Sequence, residues 1–210
     1  MTPLRRPAQT AERQKLQRQA RWLAWGGLAW HFVEFGIAAV AGIAASSIAL
    51  IGFGFDSLIE ALAGVVVLWL FTGSRLNSSR AERRAQQMIA VSFYILAAYV
   101  GEEATRSLLS GTHPGKSWVG IGLAAFTAPT MPLLAMAKRR VGHKLSSAAT
   151  VQEASQTQLC AYLSIALLVG LGANALFGWW WADPLTALAI AAVAVREGRE
   201  SWRGDSCDCC

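Results

Sequence analysis

Asp56 and Glu60 are the residues in this chain whose type and spacing most clearly imply chemistry. They are the only charges in the apolar run SIALIGFGFDSLIEALAGVVVLWLF, which extends from Ser47 to Phe71. Four residues apart on a helix, their carboxylates share a face. A charge near the centre of a bilayer costs roughly 2.5–3.5 kcal/mol on insertion scales. Two acids on one face also repel each other unless protons or a cation neutralise them. The pair therefore points to a cation site inside a membrane.

Other polar residues sit in apolar surroundings. His31 and Glu34 are three apart and share a face. An interhelical hydrogen bond accounts for His31, whereas a mid-span carboxylate such as Glu34 suggests cation or proton handling. Further on, Glu153, Gln156 and Cys160 lie on similar faces, with Gln156 and Cys160 repeating the four-residue spacing of Asp56 and Glu60. A thiolate is a soft ligand and an amide oxygen a weak hard one, although a lone Cys is also a common small core residue. Glu34 and Glu153, with His31, are candidates for a gate or proton relay. Glu102 and Glu103 are within reach of Arg106 for a local ion pair, and Asp183 before Pro184 reads as a helix start with an acid at its positive end. The terminal Cys207, Cys209 and Cys210 offer three thiols to a soft metal, but without a scaffold they do not define a closed site.

These residues need helices to hold them. Of the 210 residues, 54% are hydrophobic and 15% charged, well below the quarter charged that is usual in soluble domains. Apolar stretches of span length recur throughout, so the expected fold is an all-α membrane protein with six transmembrane helices, at roughly 22–45, 47–71, 87–109, 117–137, 154–177 and 179–196. Residues 1–21 read as a basic cytoplasmic segment, 22–198 as the transmembrane domain and 199–210 as a short Cys-rich cytoplasmic tail.

The net charge of +6 comes from arginines and lysines gathered in alternate loops: Arg5 to Arg21, Arg75 to Arg84, Lys138 to Lys144, and Arg196 to Arg203. The opposite loops hold only Lys116. By the positive-inside rule both termini are cytoplasmic. In this setting the basic charge reads as topology and headgroup contact, not nucleic-acid binding. No arginine or lysine falls at the depth of Asp56 and Glu60 within the six expected spans. No nucleophile–base set, phosphate loop or nucleotide motif appears, so an enzyme is not expected.

The segment from Gly42 to Glu60, GIAASSIALIGFGFDSLIE, resembles the first and second spans of cation diffusion facilitators. Trp181-Ala-Asp183-Pro184 with Arg196-Glu197-Gly198 is similar to their sixth span, and Glu103-Ala-Thr-Arg-Ser-Leu108 to the end of their third. The resemblance covers most of residues 22–200, and it looks like a minimal or divergent member without the C-terminal cytoplasmic domain or a His-rich loop. Nearer neighbours are the transmembrane-163-like branch and bacterial cation transporters with a Gln-Thr-x-x-Cys-x-Tyr-Leu-Ser signature, matched by Gln156 to Ser164.

The resemblance implies a metal site with two ligands from span two and two from span five. Asp56 and Glu60 match the first pair, with Glu in place of the usual Asp. Alignment on Ser164 puts Gln156 and Cys160 where that family has His and Asp. It further implies export of a divalent transition metal from the cytosol, coupled to proton entry, by a homodimer in the plasma membrane. Zinc is the first expectation as cargo, with cadmium, manganese, iron and cobalt as alternatives, and no prosthetic group is expected. The competing reading is a non-transporting metal sensor or binding protein that uses the same acids and the Cys tail.

Overall fold

A computed structural model of the chain describes residues 7–70, 79–111, 113–145 and 147–203. Cys207, Cys209 and Cys210 lie outside the described residues. Among those described, the order is six helices: α1 Pro7–Ala45, α2 Ile48–Leu70, α3 Ser79–Ser110, α4 Trp118–Leu145, α5 Ala148–Phe177 and α6 Ala182–Arg203. Each expected span corresponds to one helix, although the second, fourth and sixth expected spans begin one to three residues before their helices do, and several helices outrun their spans. α1 begins at Pro7, so the described part of the basic N-terminal segment continues the first span as helix. α4 runs on to Leu145, without a break at Pro129 or Pro132.

Among the described residues, four segments are long and apolar enough to cross a membrane by length and composition: Gln14–Ala45, Ile48–Val65, Trp118–Leu145 and Glu153–Phe177. α3 and α6 are more charged along their length. They pack against each other and against α2. α2 is central, touching α1, α3, α5 and α6, while α1 also packs on α4 and α4 on α5.

The interior is built from small residues. Ala24, Ala38, Ala49, Ala61, Ala124, Ala154 and Ala187 are buried with Phe53, Leu167 and Ile190. Small side chains let backbones approach closely, which is how helices associate where lipid removes the hydrophobic drive between them. A methyl on Gly42 would meet Ile51 Cγ1 at 2.7 Å and Ile51 N at 3.0 Å, so α1 and α2 cross there only because residue 42 lacks a side chain. The outer surface is apolar instead: Val40, Ile43, Ile95, Val169 and Leu176 are all exposed.

The helix ends are satisfied locally. Ser47 Oγ accepts from Leu50 N at 3.1 Å at the start of α2. Ser147 caps α5 by accepting from Thr150 N, and Gly178 closes that helix in the left-handed conformation at φ 68°. The Asn174 amide donates to Pro114 O at 3.0 Å, fixing the α3–α4 connection to the end of α5. Arg106 pairs with Glu102 at 2.7 Å and with Glu103 at 3.3 Å on the exposed face of α3, the local ion pair expected from their spacing.

Asp183 does more than begin its own helix. Although it lies in the first turn of α6, its carboxylate accepts from the Ser47 hydroxyl and, at 3.3 Å, from Ala49 N. It therefore caps the N-terminus of α2, the helix that carries Asp56 and Glu60.

Candidate metal centre

α2 presents Asp56 and Glu60 one turn apart, and both are buried. Across from them α5 presents Cys160, fully buried and with a free thiol. One donor atom from each of Asp56, Glu60 and Cys160 lies within 4.8 Å of the other two. Neither Glu60 oxygen has a hydrogen-bond partner. Gln156, one turn before Cys160, is buried, and its side-chain oxygen is also without a partner. Polar atoms out of contact with water and with no partner are costly. Asp56, Glu60 and Cys160 thus form a converging donor set, with an unpartnered carboxylate, that a cation would satisfy.

α1 supplies a second polar group against the same carboxylate. His31 and Glu34 are buried, at 1% and 0% exposure. His31 Nδ1 lies 3.2 Å from Glu34 Oε2, and His31 Nε2 lies 3.5 Å from Glu60 Oε1. Glu34 is held on both oxygens: Thr127 Oγ1 donates to Oε1 at 2.6 Å, and Ser57 Oγ donates to Oε2 at 3.0 Å. Thr127 belongs to α4, so Glu34 links α1, α2 and α4.

Glu153 takes a different partner. Its carboxylate lies 2.8 Å from Lys138 Nζ, and both side chains are buried. Lys138 Nζ also donates to Thr157 Oγ1 at 3.1 Å. A methyl on Gly27 of α1 would sit 3.0 Å from Lys138 Nζ, and one on Gly64 of α2 would sit 3.6 Å from Glu153 Oε1. Gly27, one turn from His31, leaves room for the lysine, while a methyl on Gly64, one turn from Glu60, would lie at ordinary contact distance from Glu153.

Among the residues expected from sequence, Asp56, Glu60 and Cys160 come together, and His31 and Glu34 join them through Glu60. Gln156 is buried on the same helix as Cys160. Glu153 is tied to a lysine. The expectation that cations stay in the loops fails at Lys138: α4 continues past the apolar run and turns this residue inward at 2% exposure. Sequence reasoning also missed Thr127 as a partner of Glu34. A hydroxyl in an apolar span was the available signal, but nothing local pairs it with a residue 93 positions away.

Over residues 27–203 the chain matches the cation efflux transmembrane domain family. It is similar to the uncharacterized transporter sll1263 of Synechocystis sp., with 23% identity over 152 residues, which is 69% of this chain and 49% of that protein. The chain thus spans about half the length of that protein. The family's members are transporters, not enzymes. With the match extending from within α1 to the last residue of α6, the chain belongs to the cation efflux family.

Proposed function

We propose that the protein carries a divalent transition-metal ion out of the cytosol in exchange for protons. The ion binds mid-membrane between α2 and α5, held by Asp56, Glu60 and Cys160 with Gln156 as a weaker oxygen ligand. The observation that carries this reading is the convergence of three buried donors from two helices within 4.8 Å. Family membership supports transport of a metal cation. Two carboxylates and a thiolate combine hard and soft ligands, a set suited to zinc or cadmium.

Proton coupling follows from the ligands' chemistry. Carboxylates and thiol must be deprotonated to bind metal, so loading releases protons. The arginine and lysine distribution supports cytoplasmic termini. We assign Glu153 to gating because its ion pair with Lys138 joins α4 to α5 beside α1 and α2. The protein is expected to work in the plasma membrane as a homodimer.

Reconstitution tests the proposal directly. Proteoliposomes under an imposed pH gradient should take up zinc, and Asp56→Ala and Glu60→Ala should abolish that uptake. Flux unchanged in both variants would overturn the assignment of the site.

A further inference from the structure

We propose that His31 is a ligand to the same cation, so that the centre is built from three helices, α1, α2 and α5, and includes an imidazole. The inference rests on the reading of Asp56, Glu60 and Cys160 as the metal site and extends it.

Its first support is how the ring is held. Glu34 Oε1 accepts from Thr127 at 2.6 Å and Oε2 from Ser57 at 3.0 Å, so the carboxylate is fixed from two other helices. A carboxylate only accepts. Facing a deprotonated Glu34, His31 Nδ1 at 3.2 Å from Oε2 is the donor. In the neutral ring this places the free lone pair on Nε2, the nitrogen turned away from Glu34. A carboxylate that orients a histidine through one nitrogen while the other binds metal is a recurring arrangement in metal centres, and it fixes both tautomer and ring angle.

Its second support is what Nε2 faces. The atom is buried and has no hydrogen-bond partner, and the same is true of both oxygens of Glu60. Nε2 and Glu60 Oε1 lie 3.5 Å apart. Neither atom has a hydrogen-bond partner, and once Glu60 is deprotonated a cation between them would be bound by both. Glu60 also belongs to the three-donor cluster with Asp56 and Cys160. It is the carboxylate through which one ion would reach both the imidazole and the thiolate. Without His31, α2 and α5 offer two carboxylates, an amide and a thiol but no nitrogen ligand. Zinc centres commonly take imidazole nitrogen with sulfur or oxygen.

The test is X-ray absorption spectroscopy on the purified full chain loaded with zinc, carrying a purification tag free of histidine. The chain has three histidines. The wild-type spectrum should show one imidazole by its multiple scattering, together with sulfur and oxygen. A His113→Ala, His143→Ala double variant leaves the whole cluster untouched and His31 as the only histidine, and it should keep that signature. His31→Ala should lose it. Glu34→Gln should keep the imidazole but weaken zinc binding by about 10–100-fold, the usual cost of losing such an orienting partner. Sulfur and oxygen scattering with no imidazole in the wild type, or an imidazole that persists in His31→Ala, would overturn the role of His31 while leaving the site on α2 and α5 standing. If the wild-type protein binds no zinc or other divalent metal, that site falls, and the role of His31 with it.

Discussion

Lys138 Nζ lies 2.8 Å from Glu153 Oε1, and neither side chain is more than 3% exposed. The pair joins α4 to α5, the bond from Lys138 to Thr157 reinforces it, and Gly27 makes space for the lysine. Removing one member of a buried pair strands the other's charge, at about 3–5 kcal/mol. Lys138→Met or Glu153→Leu alone should therefore sharply lower thermal stability in detergent. The double replacement leaves no stranded charge and should recover most of the loss. If the double variant is as unstable as the sum of the singles, the contact is not the source of the cost.

Asp183 makes a second long-range polar contact, with Ser47, 136 positions earlier. Its carboxylate caps α2 by accepting from Ser47 and Ala49 N. Loss of a capping side chain typically costs about 0.5–2 kcal/mol, and a charged acceptor strengthens the bonds it makes. Asp183→Ala should destabilise the protein by about 1–2 kcal/mol. Asp183→Asn, which keeps one acceptor oxygen, should lose less. Equal melting temperatures for Asp183→Ala and wild type would show that α2 does not depend on this cap.

These contacts also mark what the sequence reveals and what it hides. The six helices are legible because each contains an apolar run bounded by basic or turn residues. Their full lengths are not, because hydropathy records the part of a helix that suits lipid. α1 back to Pro7 and α4 on to Leu145 are helical beyond it. Asp56 and Glu60 stand out as acids in an apolar run, and Cys160 stands out by its spacing from Gln156. Lys138 reads as a loop cation because it follows the apolar run directly, yet the helix turns it inward. The contacts Thr127–Glu34 and Ser47–Asp183 depend on how helices cross, which the glycine and alanine surfaces decide and no local pattern encodes.

Cys160 is the one soft donor in the three-residue cluster, so its replacement should change which metal is favoured. Cys160→Ser keeps a small polar side chain but exchanges sulfur for a harder oxygen. Cadmium affinity should fall by about tenfold or more, equivalent to about 1.4 kcal/mol, while manganese affinity should change less. Competition titrations of both metals on the purified variant check this. An unchanged preference for cadmium over manganese would remove Cys160 from the ligand set.

Metal loading should also release protons, and the sign is fixed by the ligands. Carboxylates and a thiol bind metal in their deprotonated forms, so protons compete for the same atoms. Zinc affinity should therefore fall as the pH is lowered and rise as it is raised. Calorimetric titrations in buffers of differing ionisation enthalpy should show net proton release on zinc binding. Glu60→Gln removes one titrating ligand while keeping the side chain's size. If Glu60 is a ligand that must shed its proton, this variant should bind zinc more weakly and release fewer protons per ion. Weaker binding with an unchanged proton count would mean that Glu60 is already deprotonated before the metal arrives, and the exchanged protons would then have to come from Asp56 and Cys160.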